Sequence, residues 1–176
     1  MNQDSVFSSF AGAAVLDTTP IVIRSMLSRA TAEELAWRPS AERWSIAMVL
    51  AHLVDVETNG FQSRFRAIAA QDEPFLAKYD QHALFQRQSQ FDGWKALETF
   101  ALERAVTIDL LRSLPAAVIE RCGRHEELGQ GISFGELLNE FAFHDLGHIR
   151  QIAELYRAKA FYPEMGAFRG YYQIHP

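Results

Sequence analysis

The chain has 176 residues, of which 48% are hydrophobic and 22% are charged, and its formal net charge is −5 at pH 7. This composition is typical of one globular domain, and the acidic balance argues against a nucleic-acid-binding surface. The single Cys122 excludes an intrachain disulfide. No apolar run reaches the roughly 20 residues of a membrane span, and the first basic residue is Arg24, so a signal peptide is not expected. We expect a cytoplasmic protein with a single domain over residues 1–176.

The first helix is predicted from its N-terminal signals. Residues 1–16 are small, apolar and weakly patterned, and we expect an N-terminal arm or a short helical piece there. Thr19 and Pro20 provide an N-cap followed by proline at the first helical position, which predicts helix one from there to about Ala30. Thr31-Ala32-Glu33-Glu34 is a capping box that predicts a further single turn.

The middle of the chain predicts two helices and a long connection. Ser45 is the expected N-cap of helix two, whose apolar residues recur at helical spacing over residues 46–70. Residues 75–90 are polar and glutamine-rich, which indicates a connection that contains a partial helix. Helix three is predicted to begin at Asp92-Gly93 and to end before Pro115.

The last third of the chain predicts a loop, a long helix and a tail. Residues 122–132 contain glycines and His125, and are expected to form a loop. Ser133-Phe134-Gly135-Glu136 is a second capping box, and helix four is predicted to run from there to about Ala160. The aromatic residues 161–176 are expected to form an irregular tail that packs over one end of the bundle. With no strand-like alternation of useful length, these elements predict an all-α four-helix bundle.

Three histidines suggest a metal site. His144 and His148 are four residues apart in helix four, which places their side chains on one face. Two such imidazoles can share one cation, and His52 in helix two is the candidate third ligand. An all-nitrogen set favours Zn²⁺, Ni²⁺ or Fe²⁺ over Mg²⁺ or Ca²⁺. Histidines on apolar faces are also ordinary core residues with satisfied hydrogen bonds, so an interaction module without metal remains an alternative.

Two other metal motifs fit the sequence poorly. Zincin proteases use His-Glu-x-x-His with the glutamate as general base, whereas the intervening acid here is Asp145. Carboxylate-bridged di-iron bundles need Glu-x-x-His on two helices. The segment from Asp145 to His148 has that spacing with the wrong acid and without a partner motif. Neither motif therefore replaces the three-histidine prediction.

Other candidate site residues are weaker, and no catalytic residue is assigned. Asp145 lies about 100° from His144 on an ideal helix, so a supporting or surface role is expected. Glu57 and His125 are candidates for a general base, with a solvated face and an ordinary loop position as the alternatives. Arg150 is a candidate anchor for an anionic substrate.

The chain resembles the DinB/YfiT-like family over most of residues 17–172. Five segments carry the resemblance: Trp44-Ser45-Ile46, His52-Leu53-Val54-Asp55-Val56-Glu57, Ser133-Phe134-Gly135-Glu136-Leu137-Leu138, His144-Asp145-Leu146-Gly147-His148-Ile149-Arg150-Gln151-Ile152 and Met165-Gly166-Ala167-Phe168-Arg169-Gly170-Tyr171-Tyr172. The resemblance implies an up-down-down-up four-helix bundle, often a homodimer. It also implies a divalent metal held by three histidines, which correspond to His52, His144 and His148.

The resemblance also implies a function. Family members of known activity include thiol-dependent S-transferases and isomerases, and many others are assigned only as metal-dependent hydrolases. We therefore expect a metal-dependent enzyme, thiol S-transferase-like or hydrolase-like, that acts on a small molecule, with a low-molecular-weight thiol as candidate co-substrate. The alternative is a non-enzymatic bundle in which the metal is a structural staple or a stress-sensing ligand. A catalytic metal keeps an exchangeable water, whereas a staple is closed by a fourth protein ligand.

Overall fold

The structure, a computed structural model, describes residues 5–87 and 90–176. Its helices are α1 (Val6–Ser9), α2 (Ala13–Leu27), α3 (Ala32–Ala36), α4 (Ile46–Asp55), α5 (Ser63–Ala70), α6 (Gln81–Arg87), α7 (Gly93–Ser113) and α8 (Phe134–Tyr156). Further helical turns are π-helical (Val56–Gln62 and Arg157–Phe161) or 3₁₀ (Ala116–Glu120 and Tyr162–Tyr171). Three short strands, β1 (Phe75–Leu76), β2 (Cys122–His125) and β3 (Gln130–Ser133), form one sheet in the order β1-β2-β3.

Four helical rods form the bundle: α2, α4 with its continuation through α5, α7 and α8. Both α2 and α4 pack against α7 and α8, so α2 and α4 lie across the bundle from each other. Gly93 at the start of α7 packs against Ala47, and Gln62 donates to the Glu103 carbonyl at 3.1 Å, so α4 and α7 run parallel. The predicted all-α, up-down-down-up four-helix bundle is confirmed. No helix in the described residues is long and apolar enough to cross a membrane.

The predicted N-terminal caps are confirmed except that of Thr19, which lies inside α2. The side chains of Ser45 and Asp92 accept the backbone N–H groups of Met48 and Lys95, which fixes the starts of α4 and α7. Both capping boxes, at the starts of α3 and α8, form with both of their hydrogen bonds. Because such signals depend on neighbouring residues alone, they position helix ends before any tertiary contact is considered.

The predicted start of helix one is wrong. α2 begins at Ala13, and Pro20 lies inside it. Proline has no N–H, so the carbonyl of Leu16 loses its usual partner four residues later. Nη1 of Arg104 donates to this carbonyl at 2.8 Å. A side chain from another helix therefore replaces the missing hydrogen bond and allows α2 to continue through the proline.

The segment before α2 packs on the bundle. Val6 and Phe7 of α1 are buried in the core, and Ser5 forms a β-bridge with Pro115. Of the two alternatives for the N-terminal segment, the short helical piece is therefore confirmed. Residues 1–4 of the predicted arm lie outside the described residues.

Helix two spans the predicted residues but is not uniform. Between α4 and α5 the backbone is π-helical over Val56–Gln62. Five of these seven residues are buried: Val56, Glu57, Gly60, Phe61 and Gln62. The wider π turn brings Glu57 into the interior, and such turns are frequent at functional sites.

The expected loop over residues 122–132 is instead a β-hairpin, with β2 antiparallel to β3 and β1 parallel to β2. Burial alternates along β2, so that Gly123 and His125 face inward. A strand of four residues is too short for this alternation to stand out in the sequence. The partial helix expected within residues 75–90 is confirmed by α6, although residues 88 and 89 lie outside the described residues.

The aromatic tail does not pack over the end of the bundle, so that prediction is wrong. Phe168, Tyr171 and Tyr172 are 64%, 81% and 53% exposed. The last residues bind back to α8 through their backbone, because Arg157 donates to the Gln173 carbonyl and the His175 N–H donates to Glu154. The tail therefore extends the surface of α8 rather than covering the core.

A polar layer divides the core into two apolar clusters. On α7, Phe100 belongs to one cluster and Ile108 to the other, with the buried Arg104 between them. On α8, the cluster that contains Ile108 ends at Ala142, and the cluster that contains Phe100 includes Ile152. The three candidate histidines lie at this same level of the bundle, between the two apolar clusters. The buried carboxylates of Glu57 and Asp145 lie there as well.

Candidate metal centre

The structure brings the three histidines together, and we call His52, His144 and His148 the histidine cluster. His52 comes from α4, and the other two lie one turn apart on α8. The Nε2 atom of His144 lies 3.2 Å from that of His52 and 3.1 Å from that of His148. One ligand nitrogen from each ring falls within 4.8 Å of the others. Two nitrogen ligands of a tetrahedral zinc ion are about 3.3 Å apart, so the spacing fits one shared cation.

The surroundings keep the three imidazoles neutral. Burial lowers the pKa of His52 to about 4, with the neighbouring His148 as a smaller cause. Burial and the two neighbouring histidines lower the pKa of His144 to about 2, and burial also lowers the pKa of His148. A neutral imidazole with a free lone pair is the form that binds metal.

The hydrogen bonds of the histidine cluster are incomplete without a further partner. His148 Nδ1 lies 2.9 Å from Gln151 Oε1, so its N–H donates there and its Nε2 lone pair faces the other rings. In the described residues, the buried Nδ1 atoms of His52 and His144 have no partner. The Nε2 atom of His144 cannot both donate to the lone pair of His148 and accept from His52. A cation at this point would take all three lone pairs, so the donor set fits a divalent metal.

Two open cavities meet at the histidine cluster. The sheet cavity, about 520 Å³, is lined by all three histidines together with Arg64, Lys78, Tyr79 and His125 among others. The α8 cavity, about 670 Å³, is lined by His144, His148, Arg43, Gly147, Arg150 and His175 among others. Trp44 and Glu140 line both cavities. A ligand held by the histidines would therefore be reachable from two sides.

The weaker candidates His125 and Arg150 lie on different cavities. His125 is a buried residue of β2 and lines the sheet cavity, so the alternative of an ordinary loop residue is wrong. Arg150 is exposed on α8 and lines the α8 cavity. No ion pair of Arg150 is found in the described part of the chain, so its guanidinium is available to a ligand.

Glu57 and Asp145 do not belong to the histidine cluster. Both are buried and bind Arg104, and these three residues form what we call the arginine–carboxylate cluster. Arg104 Nη2 lies 3.0 Å from Glu57 Oε2, and Nη1 lies 2.6 Å from Asp145 Oδ2. The predictions of a solvated Glu57 and of a surface position for Asp145 are therefore wrong. Both carboxylates are occupied by Arg104, which leaves neither free to act as a general base.

The arginine–carboxylate cluster is fully hydrogen-bonded. All five N–H donors of Arg104 have a partner, namely Glu57, Asp145 and the Leu16 carbonyl. Thr107 Oγ1 donates to Glu57 at 2.5 Å. Burial raises the pKa of Glu57, while Arg104 opposes this shift. The cluster joins α2, α7 and α8 to the π-helical segment, and it fixes α8 beside His144.

Four residues near the site were not predicted from the sequence. Glu140 and Gln151 had a usable signal, because they lie four residues before His144 and three residues after His148. Arg104 also had one, since it interrupts the apolar stripe of helix three between Phe100 and Ile108. Arg64 had none, because its burial depends on the small sheet that packs beside α5.

Comparison with known proteins identifies the superfamily to which this helical bundle belongs. The family model of the DinB superfamily matches residues 16–152. The chain belongs to the DinB superfamily, which confirms the family predicted from the sequence motifs.

Among solved structures, the chain is similar to YfiT from Bacillus subtilis, described as a probable metal-dependent hydrolase with an unusual four-helix bundle topology. The TM-score is 0.74 at 23% sequence identity, and the match covers 82% of this chain and 83% of YfiT. At this identity the similarity establishes the shared fold. Comparison with the curated proteins gave no significant match.

Proposed function

We propose that this protein is a metal-dependent enzyme that acts on a small molecule, with His52, His144 and His148 as the ligands of a divalent cation. The observation that carries the proposal is the convergence of three Nε2 atoms where two open cavities meet. The donor set favours Zn²⁺, Ni²⁺ or Fe²⁺. A bound cation would supply Lewis acidity, which lowers the pKa of a coordinated water or thiol and stabilises developing negative charge.

The residues around the histidines support a catalytic rather than a structural role. In the described part of the chain, the ligand atoms close enough to share one cation come from three histidines and from no carboxylate or thiol. A structural zinc site is usually closed by four protein ligands, whereas a catalytic site leaves a position for substrate. Gln151 orients His148, and the neutral state of the three rings preserves their lone pairs. These features argue against a structural staple.

The two cavities favour a thiol S-transferase-like reaction. A transferase must admit both a thiol and an electrophile, and His144 and His148 can be approached from the sheet cavity and from the α8 cavity. Hydrolysis is the second candidate, and the similarity to YfiT, described as a probable metal-dependent hydrolase, supports it. Both reactions use the same Lewis acid, so the organic co-substrate distinguishes them.

Metal content is the first test of this proposal. Protein purified without added metal and without a polyhistidine tag should carry about one Zn, Ni or Fe ion per chain by elemental analysis. His148→Ala should lose this metal, whereas the matched control His175→Ala, which removes an exposed histidine, should retain it. If wild-type protein takes up neither Zn²⁺ nor Ni²⁺, the enzyme proposal fails.

Product analysis then separates the two reactions. Metal-loaded protein is incubated with glutathione, bacillithiol or mycothiol and a chlorodinitrobenzene electrophile, or with a nitrophenyl ester in the absence of thiol. Transferase activity forms a C–S bond, releases chloride and gives the thiol proton to solvent. Hydrolase activity releases nitrophenol without a thiol. Either activity should be lost in His148→Ala and retained in Gln71→Ala, which changes an exposed glutamine outside both cavities.

A further inference from the structure

Arg64 is a buried cation that uses little of its hydrogen-bonding capacity. It is 9% exposed, and its hydrogen bond within the described residues runs from Nη2 to the Ala77 carbonyl at 3.1 Å. It forms no ion pair in that part of the chain. Arginine has five N–H donors, and Arg104 in the same protein uses all five of its own. A buried guanidinium without a contacting carboxylate is uncommon and indicates that a partner is missing.

The acidic residues near Arg64 do not supply that partner. Glu140 and Glu127 are the acids whose charges act on Arg64, and both line the sheet cavity. Glu127 binds Lys78 at 3.0 Å, and Glu140 is exposed on α8. Neither carboxylate contacts the guanidinium, and burial lowers the pKa of Arg64. Arg64 lines the sheet cavity and also a neighbouring cavity beside α5.

His125 provides a second donor in the same wall. The Leu128 N–H donates to its Nδ1 at 3.3 Å, so the neutral ring carries its proton on Nε2. Burial and the charge of Arg64 lower the pKa of His125, in that order. His125 pairs with Leu76 in the sheet, next to the carbonyl that binds Arg64. The small sheet thus holds both side chains at one side of the cavity.

We propose that Arg64 and His125 form an anion-binding subsite of the sheet cavity, which binds a carboxylate or phosphate group of a small molecule. Arg64 supplies charge and forked N–H donors, which suit both anions. The histidine cluster lines the same cavity, together with the apolar side chains of Val56 and Phe61. The volume of about 520 Å³ is typical of small-molecule sites.

This subsite defines the substrate class of the proposed enzyme, and to that extent it rests on the proposed function. The substrate is an amphipathic anion whose charged end lies at Arg64 and whose reacting end lies against the histidine cluster. The binding of an anion at Arg64 does not itself require a metal ion. Metal-free protein therefore tests the subsite independently of the metal-dependent activity.

The experiment is isothermal titration calorimetry of metal-free protein with inorganic phosphate and with succinate. Arg64→Gln should weaken binding of the accepted anion about tenfold or more, because it removes a charge-assisted hydrogen bond. Arg66→Gln is the matched control, since Arg66 is an exposed arginine two residues away on the same helix. It should bind within about twofold of wild type. Binding of phosphate alone, of succinate alone or of both identifies the anion and supports the proposal.

Two results would overturn the subsite. Wild-type protein that binds neither anion has no such site, and Arg64→Gln that binds as tightly as Arg66→Gln places the anion elsewhere. Arg64→Lys keeps the positive charge and loses the forked N–H donors of the guanidinium, so it should weaken anion binding less than Arg64→Gln does. It replaces Arg64→Gln as the test variant if the glutamine variant does not fold. Metal uptake measured in the same samples keeps the two proposals separate, because anion binding without metal uptake supports the subsite and contradicts the metal centre.

Discussion

Two buried polar clusters lie side by side in the centre of this bundle, and they differ in whether the protein completes them. In the arginine–carboxylate cluster, every N–H of Arg104 has an acceptor. In the histidine cluster, three Nε2 atoms face one another, and the buried Nδ1 atoms of His52 and His144 have no partner in the described residues.

This difference in hydrogen bonding indicates which of the two clusters in the polar layer is structural and which is functional. Buried polar groups are ordinarily hydrogen-bonded, so a complete cluster is explained by the fold alone. An incomplete cluster beside two cavities indicates a group that the chain itself does not contain. The arginine–carboxylate cluster therefore holds the helices in place, and we infer that the histidine cluster is completed by a ligand.

The largest effect is expected from a substitution that breaks the arginine–carboxylate cluster. Arg104→Met leaves the buried Glu57 and Asp145 without their cation, and we expect a loss of about 3–5 kcal/mol in the free energy of unfolding. Urea denaturation measures this loss. Arg112→Met is the control, because Arg112 is half-exposed in its ion pair with Asp17 and should cost less than about 1 kcal/mol. Equal costs for the two variants would contradict the structural role of Arg104.

The second prediction concerns the stability gained when zinc binds to the histidine cluster. Zinc at a concentration of 100 times its Kd should raise the free energy of unfolding of wild-type protein by about 2.7 kcal/mol. His144→Ala should lose this gain, because the nitrogen nearest to both other ligands is removed. Without zinc, the same variant should lose less stability than Arg104→Met does. Urea denaturation with and without zinc checks both statements, and equal stabilisation of His144→Ala would contradict the first.

The third prediction concerns the contact that orients one ligand. Gln151→Leu removes the acceptor of His148 Nδ1, and such partners of metal ligands typically contribute 10–100-fold to metal affinity. Zinc affinity is measured by competition with a chromophoric chelator. Gln71→Leu changes an exposed glutamine and should bind zinc as wild type does. Unchanged affinity in Gln151→Leu would show that the ring orientation is maintained by packing alone.

The smallest expected effect is a pH dependence of metal-free protein. The pKa of His52 falls from 6.5 to about 4 on folding, so the unfolded state binds more protons between these values. The contribution of His52 to stability therefore decreases as the pH falls, by about 1 kcal/mol from pH 6.5 to about pH 5.5. His144 and His148, whose pKa values burial also lowers, add to this decrease in both proteins. His52→Gln should show a shallower decrease over this interval, since the opposite contribution of Glu57, whose pKa is raised, is common to both proteins. Parallel curves would contradict burial of a neutral His52.

The parts of the fold that were predicted correctly depend on neighbouring residues. The capping boxes before α3 and α8, and the spacing of His144 and His148 along one helix, need no knowledge of tertiary contacts. His52 was the candidate third ligand from its place in an apolar helix, and the motif resemblance implied the same ligand. Its approach to that pair could not be derived from local signals, because nothing local shows that α4 lies against α8. The structure brings these three side chains together.

The parts that were predicted wrongly depend on distant partners. Of the two roles expected for Asp145, the surface position is wrong, and so is the solvated position expected for Glu57. Both carboxylates are buried against Arg104 of α7, a cation that interrupts the apolar stripe of predicted helix three. The hairpin was not predicted because its strands have four residues each. Alternation of polar and apolar residues over so short a length cannot be told from a loop.

The proline inside α2 has a consequence for how the bundle assembles. Without α7, the Leu16 carbonyl would be exposed to solvent, and the helix would lack one of its own hydrogen bonds at Pro20. The Leu16 carbonyl gains a hydrogen-bond donor only when Arg104 packs against α2. The same guanidinium also binds Glu57 and Asp145. The hydrogen bonding of α2 at Pro20 and the docking of its neighbours therefore depend on the same side chain. A peptide of residues 13–27 should be less helical in isolation than the same segment is within the protein.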